Sequence, residues 1–139
     1  MTVSRTSEYA LRAVSWLAAN PAGAFGTPRI AAETQVPEGY LSKVLQQLAR
    51  SGIVSSRPGR SGGFILGRRA EAITVLEVIN AVDPLERILS CPLKLKAHRH
   101  QLCPLHRRLD DAIASVQKAF AATRITDLLE PSEQPMFKD

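Results

Sequence analysis

Only two cysteines and three histidines occur in the 139 residues, and no apolar run approaches the length of a bilayer span, about 20 residues. In the cytoplasmic setting expected below, two cysteines are ligands or redox switches rather than a structural disulfide. The stretch Met1-Thr-Val-Ser-Arg-Thr6 leads into an amphipathic segment carrying Arg12 and lacks the apolar core of a signal peptide. A cytoplasmic protein without a membrane partner is therefore expected. Also missing are a nucleophile–base pair, a phosphate-binding glycine loop and a cofactor fingerprint, which argues against an enzyme. Finally, no acidic residue lies between Gly39 and Ala70, where Lys43, Arg50, Arg57, Arg60, Arg68 and Arg69 supply six positive charges. The net charge of +5 is moderate, but a one-signed stretch of this length points to a polyanion.

What is present is strongly patterned. Thr6 or Ser7 can cap a first helix running to about Asn20, with Leu11, Val14, Leu17 and Ala18 at helical spacing. Thr27-Pro28 has the form of an N-cap and an N1 proline, opening a short second helix that carries Arg29 and runs through Glu33. After Thr34-Gln-Val-Pro37, a third helix runs to Ser51, with Gly52 in the C-terminal left-handed position. Leu41, Val44, Leu45 and Leu48 fall on one face of it, and Tyr40, Ser42, Lys43, Gln46 and Arg50 lie elsewhere. A short helix, a tight turn and a helix with a basic face form a helix-turn-helix pattern.

The segment Ile53–Arg57, the turn Pro58-Gly-Arg-Ser-Gly-Gly63 and Phe64–Leu66 give a two-stranded hairpin with a glycine-rich tip bearing Arg60 and Ser61. A hairpin following a helix-turn-helix is a wing, and an arginine at its tip suits the potential of a minor groove. Thr74-Val-Leu-Glu77 is a capping box for a fourth helix ending before Asp83-Pro84. From Pro104 to about Thr123, a long helix carries Leu105, Leu109, Ile113, Val116 and Phe120 in one stripe. Such a stripe can be covered by the same helix of a second subunit, by the chain's own first helix, or by both. Thr126–Leu129 is expected to form a short final helix, and the tail after Pro131 to fray. The fold class expected is mainly α with a small β wing. The divisions expected are 1–83 for DNA binding, 84–104 for a Cys/His loop, and 105–139 for the dimerisation helix and tail.

All the cysteines and histidines fall within the sixteen residues Cys91 to His106. A core would scatter these residue types, whereas one loop that gathers soft sulfur and imidazole donors is what a metal or redox site requires.

The order of parts resembles the bacterial winged helix-turn-helix regulators of the IscR/NsrR/CymR family. The resemblance rests on Ser7–Arg12, Tyr40–Gln46, Gly52–Ser56, Gly62–Gly67, Glu77–Val82 and Cys103-Pro-Leu-His106. It implies a homodimeric repressor that reads a partly palindromic operator in double-stranded DNA. On that pattern Tyr40, Ser42 and Lys43 match the reading part of the recognition helix, and Arg57, Arg60 and Ser61 match the wing. Arg29 and Gln46 complete the DNA-contact set. Tyr40 can equally be a packing residue.

Cluster-sensing relatives carry three cysteines in this loop. Cys91 and Cys103 match the first and last, while Ala97, beside His98, stands at the middle position. His106 matches a histidine ligand, and Glu8 matches a carboxylate supplied across the dimer in nitric-oxide-sensing relatives. The resemblance thus implies an iron–sulfur cluster, of the 2Fe-2S type, with Cys91, Cys103, His106 and Glu8 as its matched ligands. On the residues alone, one subunit offers Cys91, Cys103 and one of His98, His100 or His106, and the fourth donor is another histidine or the partner's Glu8. Zinc, a Cys91–Cys103 thiol switch, control by a protein partner without a cofactor, and an inert connecting loop are the alternatives. A small electron-transfer protein is another class, but such a carrier has no use for a basic wing.

Overall fold

The structure is a computed structural model that describes residues 3–137. Among the described residues there are five α-helices: α1 (Arg5–Ala19), α2 (Thr27–Thr34), α3 (Glu38–Arg50), α4 (Val75–Val82) and α5 (Pro104–Ala121). Strands β1 (Val54–Arg57) and β2 (Gly63–Leu66) form one antiparallel hairpin, and short 3₁₀ turns occupy Ala70–Ala72, Lys96–His98 and Ile125–Leu129. The expected winged helix-turn-helix architecture is present.

Helix α1 is the central pillar, packed by α2, α3, α4 and the C-terminal 3₁₀ turn. That position explains one correction to the periodicity. Its buried residues include the unbroken run Ala13-Val-Ser-Trp-Leu17, together with Ser7 and Ala10. Leu11 and Ala18 are only partly buried. The expected positions all meet the core, Val14 and Leu17 buried and Leu11 and Ala18 packed against it. A helix enclosed on several sides has no single apolar stripe, however, so a one-face template leaves out Ala10, Ala13 and Ser15. The cap differs as well. Ser4, rather than Thr6 or Ser7, is the N-cap, its hydroxyl accepting from the Ser7 backbone N–H at 3.1 Å. In α2, Gly26 is the N-cap and Thr27 is already helical, so no side chain caps that end.

The end of α3 follows its sequence closely. Gly52 takes φ +80°, its N–H donates to Ala49 O (3.1 Å), and the Ile53 N–H donates to Leu48 O (3.1 Å). This is a Schellman termination, with Ile53 and Leu48 both buried. Leu41, Val44, Leu45 and Leu48 are fully buried, and each contributes about 1.5–3 kcal/mol relative to exposure. The turn between α2 and α3 is made by Gln35 in the left-handed region at φ 57°.

The wing pairs Val54 with Leu66, Ser55 with Ile65, Ser56 with Phe64, and Arg57 with Gly63. Phe25 adds a single bridge to it, exchanging backbone bonds with Phe64 at 3.1 and 2.8 Å. Gly63, at φ +140°, passes so close to the Phe25 backbone that any Cβ would collide with it. The hairpin is therefore fastened to the loop before α2 rather than standing free.

At the far end, Thr74 caps α4 through the Glu77 N–H (3.1 Å). The Glu77 carboxylate pairs with Arg68 rather than closing the capping box. The chain after α5 returns to the body. Val75 N–H donates to Thr123 O (2.8 Å), Ile125 N–H donates to Ile73 O (2.9 Å), and Ile125 is fully buried. The expected short final helix is present, as a 3₁₀ helix over Ile125–Leu129. The tail does not fray completely, because Phe137 packs against the core cluster.

Candidate nucleic-acid interface and Cys/His centre

Burying four apolar side chains of α3 on one face leaves Tyr40, Lys43, Gln46 and Arg50 exposed and Ser42 partly exposed. Arg57, Arg60 and Ser61 of the wing are exposed too. Ion pairing sorts the six basic residues of the acid-free stretch. Arg68 pairs with Glu77, and Arg69 with Glu71. Among the described residues, Lys43, Arg50, Arg57 and Arg60 pair with no carboxylate. Four uncompensated cations remain on one helix and the adjoining wing, where charge left without an internal partner favours an external polyanion.

Two residues of the expected DNA-binding set have structural work of their own. The Tyr40 hydroxyl lies 2.5 Å from Thr6 Oγ1, and its ring meets Tyr9 edge-on at 5.1 Å. With 39% of its surface exposed, Tyr40 both packs α3 on α1 and borders the open face. Arg29 lies over the rings of Phe25 (5.5 Å) and Trp16 (5.9 Å) and pairs with Glu33 at 3.4 Å. Its guanidinium is therefore partly engaged within the fold.

The second candidate site is the loop between α4 and α5. Cys103 is the N-cap residue of α5 and is buried, and Pro104 begins the helix behind it. One helical turn later, His106 brings Nδ1 to 3.0 Å from Cys103 Sγ. Cys91 approaches from the loop, with Sγ 3.7 Å from Cys103 Sγ and 3.4 Å from His106 Nδ1. The 3₁₀ turn Lys96–His98 supplies a fourth donor, His98 Nδ1, 3.3 Å from Cys91 Sγ. Cys91, His98 and Cys103 form a group whose ligand atoms lie within 4.8 Å of one another. The Cys103 thiol is lowered from 9.0 to about 7, first by a hydrogen bond with the His106 backbone and then by the His106 ring.

The fold brings Cys91, Cys103 and His106 together and adds His98, which the sequence offered only as one of three histidines. His100 is exposed. Glu8 sits on α1, where its carboxylate accepts from Arg12 at 2.8 Å. Arg12 also donates to Thr34 O and Gln35 O, both at 3.3 Å, so the pair braces the turn of the helix-turn-helix.

Sequence reasoning missed what positions the loop. Asp110 of α5 accepts from Arg87 Nε and an Arg87 terminal nitrogen, both at 2.7 Å, and from the Ile88 N–H at 2.9 Å. The Arg87 hydrogen bonds hold the Asp110 carboxyl below its ordinary 3.8, aided by the Ile88 N–H. Gln117 donates to Leu85 O at 2.8 Å. No local pattern announces a partner 23 residues away.

Two cysteines and two histidines are the right donor types for a Rieske-type two-iron cluster, but their arrangement is not the right one. In such a cluster the sulfurs hold one iron and the imidazoles the other, so the two donor types stand apart across the cluster. Here Cys91 Sγ lies within 3.7 Å of Cys103, His98 and His106 alike.

Comparison with known proteins gives a consistent result. Residues 3–131 match the Rrf2 family model, described as an iron-dependent transcriptional regulator. A protein of Aquifex aeolicus (strain VF5) described as an HTH-type transcriptional regulator is 29% identical over 140 residues, covering 99% of this chain and 97% of that protein. The structure of CymR (YrzC), the global cysteine regulator of B. subtilis, is 27% identical with a TM-score of 0.72, covering 92% of this chain and 95% of that one. IscR of T. potens shares the fold at a TM-score of 0.75 and 20% identity, covering 99% and 97%.

Proposed function

Because this chain belongs to the Rrf2 family of transcriptional regulators, we propose that it is a homodimeric repressor whose affinity for a partly palindromic operator is set by a metal- or redox-responsive Cys/His centre. The observation that carries the DNA-reading part is the set of unpaired cations Lys43, Arg50, Arg57 and Arg60 on exposed α3 and the wing. On this reading α3 enters a major groove, with Ser42, Lys43 and Gln46 near its reading end. The wing carries Arg57, Arg60 and Ser61 to an adjacent minor groove. Lysine and arginine fix register on phosphates, and one or two of these side chains carry the sequence information.

Dimerisation is supported by what α5 leaves uncovered. Leu105 is 60% exposed and Leu109 47%, and Asp110 is the buried residue of the whole helix. A two-fold related α5 is the self-complementary surface that covers this stripe. The centre lies at the N-terminal end of α5, whose other end is stitched to the winged body through Thr123 and Ile125. A change at the centre thus reaches the spacing of the two recognition helices through one rigid element, shifting the population competent for DNA.

Fluorescence anisotropy on operator DNA tests the reading. Lys43→Ala and Arg60→Ala should each weaken binding about tenfold, and the salt slope should fall by about one for each phosphate no longer neutralised. Wild-type affinity in both folded variants would sink the docking geometry.

A further inference from the structure

We infer that Cys91, His98, Cys103 and His106 bind one tetrahedral divalent ion of the zinc class per chain, in place of an iron–sulfur cluster. The inference deepens the proposed Cys/His centre and rests on it only for the claim that the centre matters to DNA binding. Three observations point the same way, beginning with the sulfur separation. Two thiolates about 2.3 Å from a tetrahedral centre stand about 3.8 Å apart, and Cys91 Sγ and Cys103 Sγ are 3.7 Å apart. A thiolate and an imidazole on the same ion stand about 3.6 Å apart. Three of the four sulfur–nitrogen separations are 3.0, 3.3 and 3.4 Å, slightly tighter than that, and the fourth, Cys103 to His98, is within 4.8 Å.

The second observation is connectivity. Each terminal ligand of a two-iron cluster has one near companion, the other ligand on its own iron. Cys91 Sγ has three. No division of the four donors into two pairs keeps Cys91 close to one partner and remote from two. Both histidines close on the same pair of sulfurs: Cys91, His98 and Cys103 lie within 4.8 Å of one another, and Cys91, Cys103 and His106 within 3.7 Å. Donors gathered on one sulfur pair favour a mononuclear site, and a Cys₂His₂ set is a closed structural zinc set.

The third observation is that a single chain carries four such donors. His98 provides the fourth donor from the 3₁₀ turn Lys96–His98, beside Ala97. Glu8, the expected carboxylate from the other subunit, is paired with Arg12 within its own chain. The ion would join the loop to the first turn of α5, since Cys91 and His98 stand on one side of that junction and Cys103 and His106 on the other.

The test uses the full chain purified under strict anaerobiosis, with zinc, iron and acid-labile sulfide measured per chain. The expected result is one zinc, no sulfide and no visible absorption. After chelation and Co²⁺ replacement, the protein should show tetrahedral ligand-field bands with thiolate charge transfer. Loss of even an outer-shell partner costs about 10–100-fold in metal affinity, so His98→Ala should shift the Co²⁺ titration at least that far. Far-ultraviolet circular dichroism checks that the variant is folded. His98→Cys should restore tight binding and strengthen the charge-transfer band through a third sulfur.

Two irons with two sulfides per chain, absence of any bound metal, or unaltered Co²⁺ binding by folded His98→Ala would each overturn the inference. Operator binding measured on the same preparations keeps the two readings apart. A zinc-loaded protein indifferent to operator DNA sinks the regulator geometry and spares the metal. An iron–sulfur protein that binds the operator does the reverse.

Discussion

The winged body and the arm that follows it are held by different forces. In the body, α1, α3 and α4 bury a continuous cluster running from Ala10 to Ile79 and closed by Ile125. Among residues 84–121, Cys103 and Asp110 are the buried side chains. The arm sets Leu85 and Phe120 against that cluster and otherwise relies on the Arg87–Asp110 clasp, the Gln117–Leu85 bond, the Asn80 side chain accepting from the Leu85 N–H (3.1 Å), and the Cys/His donors. Hydrophobic burial is non-directional and sums over many residues, whereas each polar tie is local and contributes only about 0.5–1.5 kcal/mol in net terms. On the proposed reading, a signal with a few kcal/mol at its disposal can therefore move the arm without unfolding the body.

The sharpest way to break that contrast is to damage the body. Leu45 is fully buried in α3 between Val44 and Leu48, and Leu45→Ala should cost about 2–5 kcal/mol by removing burial and leaving a cavity. Urea denaturation should show a lower midpoint for the whole chain. A loss confined to the arm, with the body's transition unmoved, would mean that α3 does not anchor the core as described.

The corresponding damage to the arm should act on assembly. Leu109→Glu puts a charge on the exposed stripe of α5, where a central apolar anchor of an interface is worth about 2 kcal/mol or more. Sedimentation should then show a shift toward monomer at micromolar concentration, with the far-ultraviolet spectrum preserved. A variant whose association state matches that of the wild type would remove α5 from the proposed interface.

The same two regions differ in how far they could be read from the sequence. The α3 face, its Gly52 ending, the Thr74 cap and the wing were all legible, because each is written in neighbours at fixed spacing. The stripe of α1 was legible but too narrow, because the helix is enclosed on several sides and buries Ala10, Ala13 and Ser15 as well, and its cap fell on Ser4, two residues before Thr6. Arg29 carried the right charge for DNA, but no sequence pattern shows that it lies over Trp16 and Phe25. In the loop, the clustering of Cys and His announced a site. Which histidine closes on Cys91 depends on the path of an irregular segment, and that path is set by Asp110 reaching back to Arg87 and Ile88. Contacts between distant irregular segments leave no periodicity to detect.

That clasp gives a pH test. The folded-state carboxyl of Asp110 is depressed below its ordinary 3.8 by the Arg87 hydrogen bonds. Its contribution is therefore present in full above the ordinary carboxylate value and is lost as pH falls through the depressed one. Asp110→Asn keeps the shape but removes the charge. It should make exchange at the Ile88 amide and its neighbours faster at neutral pH, matching what acid does to the wild type, while α1 and α3 amides stay protected. Equal acceleration across the body would show that the arm is not an independent unit.

The smallest effect expected lies in the body, at the turn between α2 and α3. Gln35 sits at φ 57°, a conformation that costs an ordinary residue roughly 1 kcal/mol. Glycine adopts it freely but adds unfolded-chain entropy worth about 0.4–1 kcal/mol. The two effects nearly cancel, so Gln35→Gly should change stability by no more than about 0.5 kcal/mol, with a gain as the expected sign. For a chain of this size that is a rise of about 2 °C in Tm, within reach of differential scanning calorimetry. The turn is also held from outside, since Arg12 donates to the carbonyls of Thr34 and Gln35. If Gln35→Gly lowered Tm while Arg12→Ala left it unchanged, the glutamine side chain would be supplying the stability assigned here to Arg12. If Arg12→Ala proved the more damaging, the bracing of the reading head would be traced to α1, the helix that carries both Glu8 and Arg12.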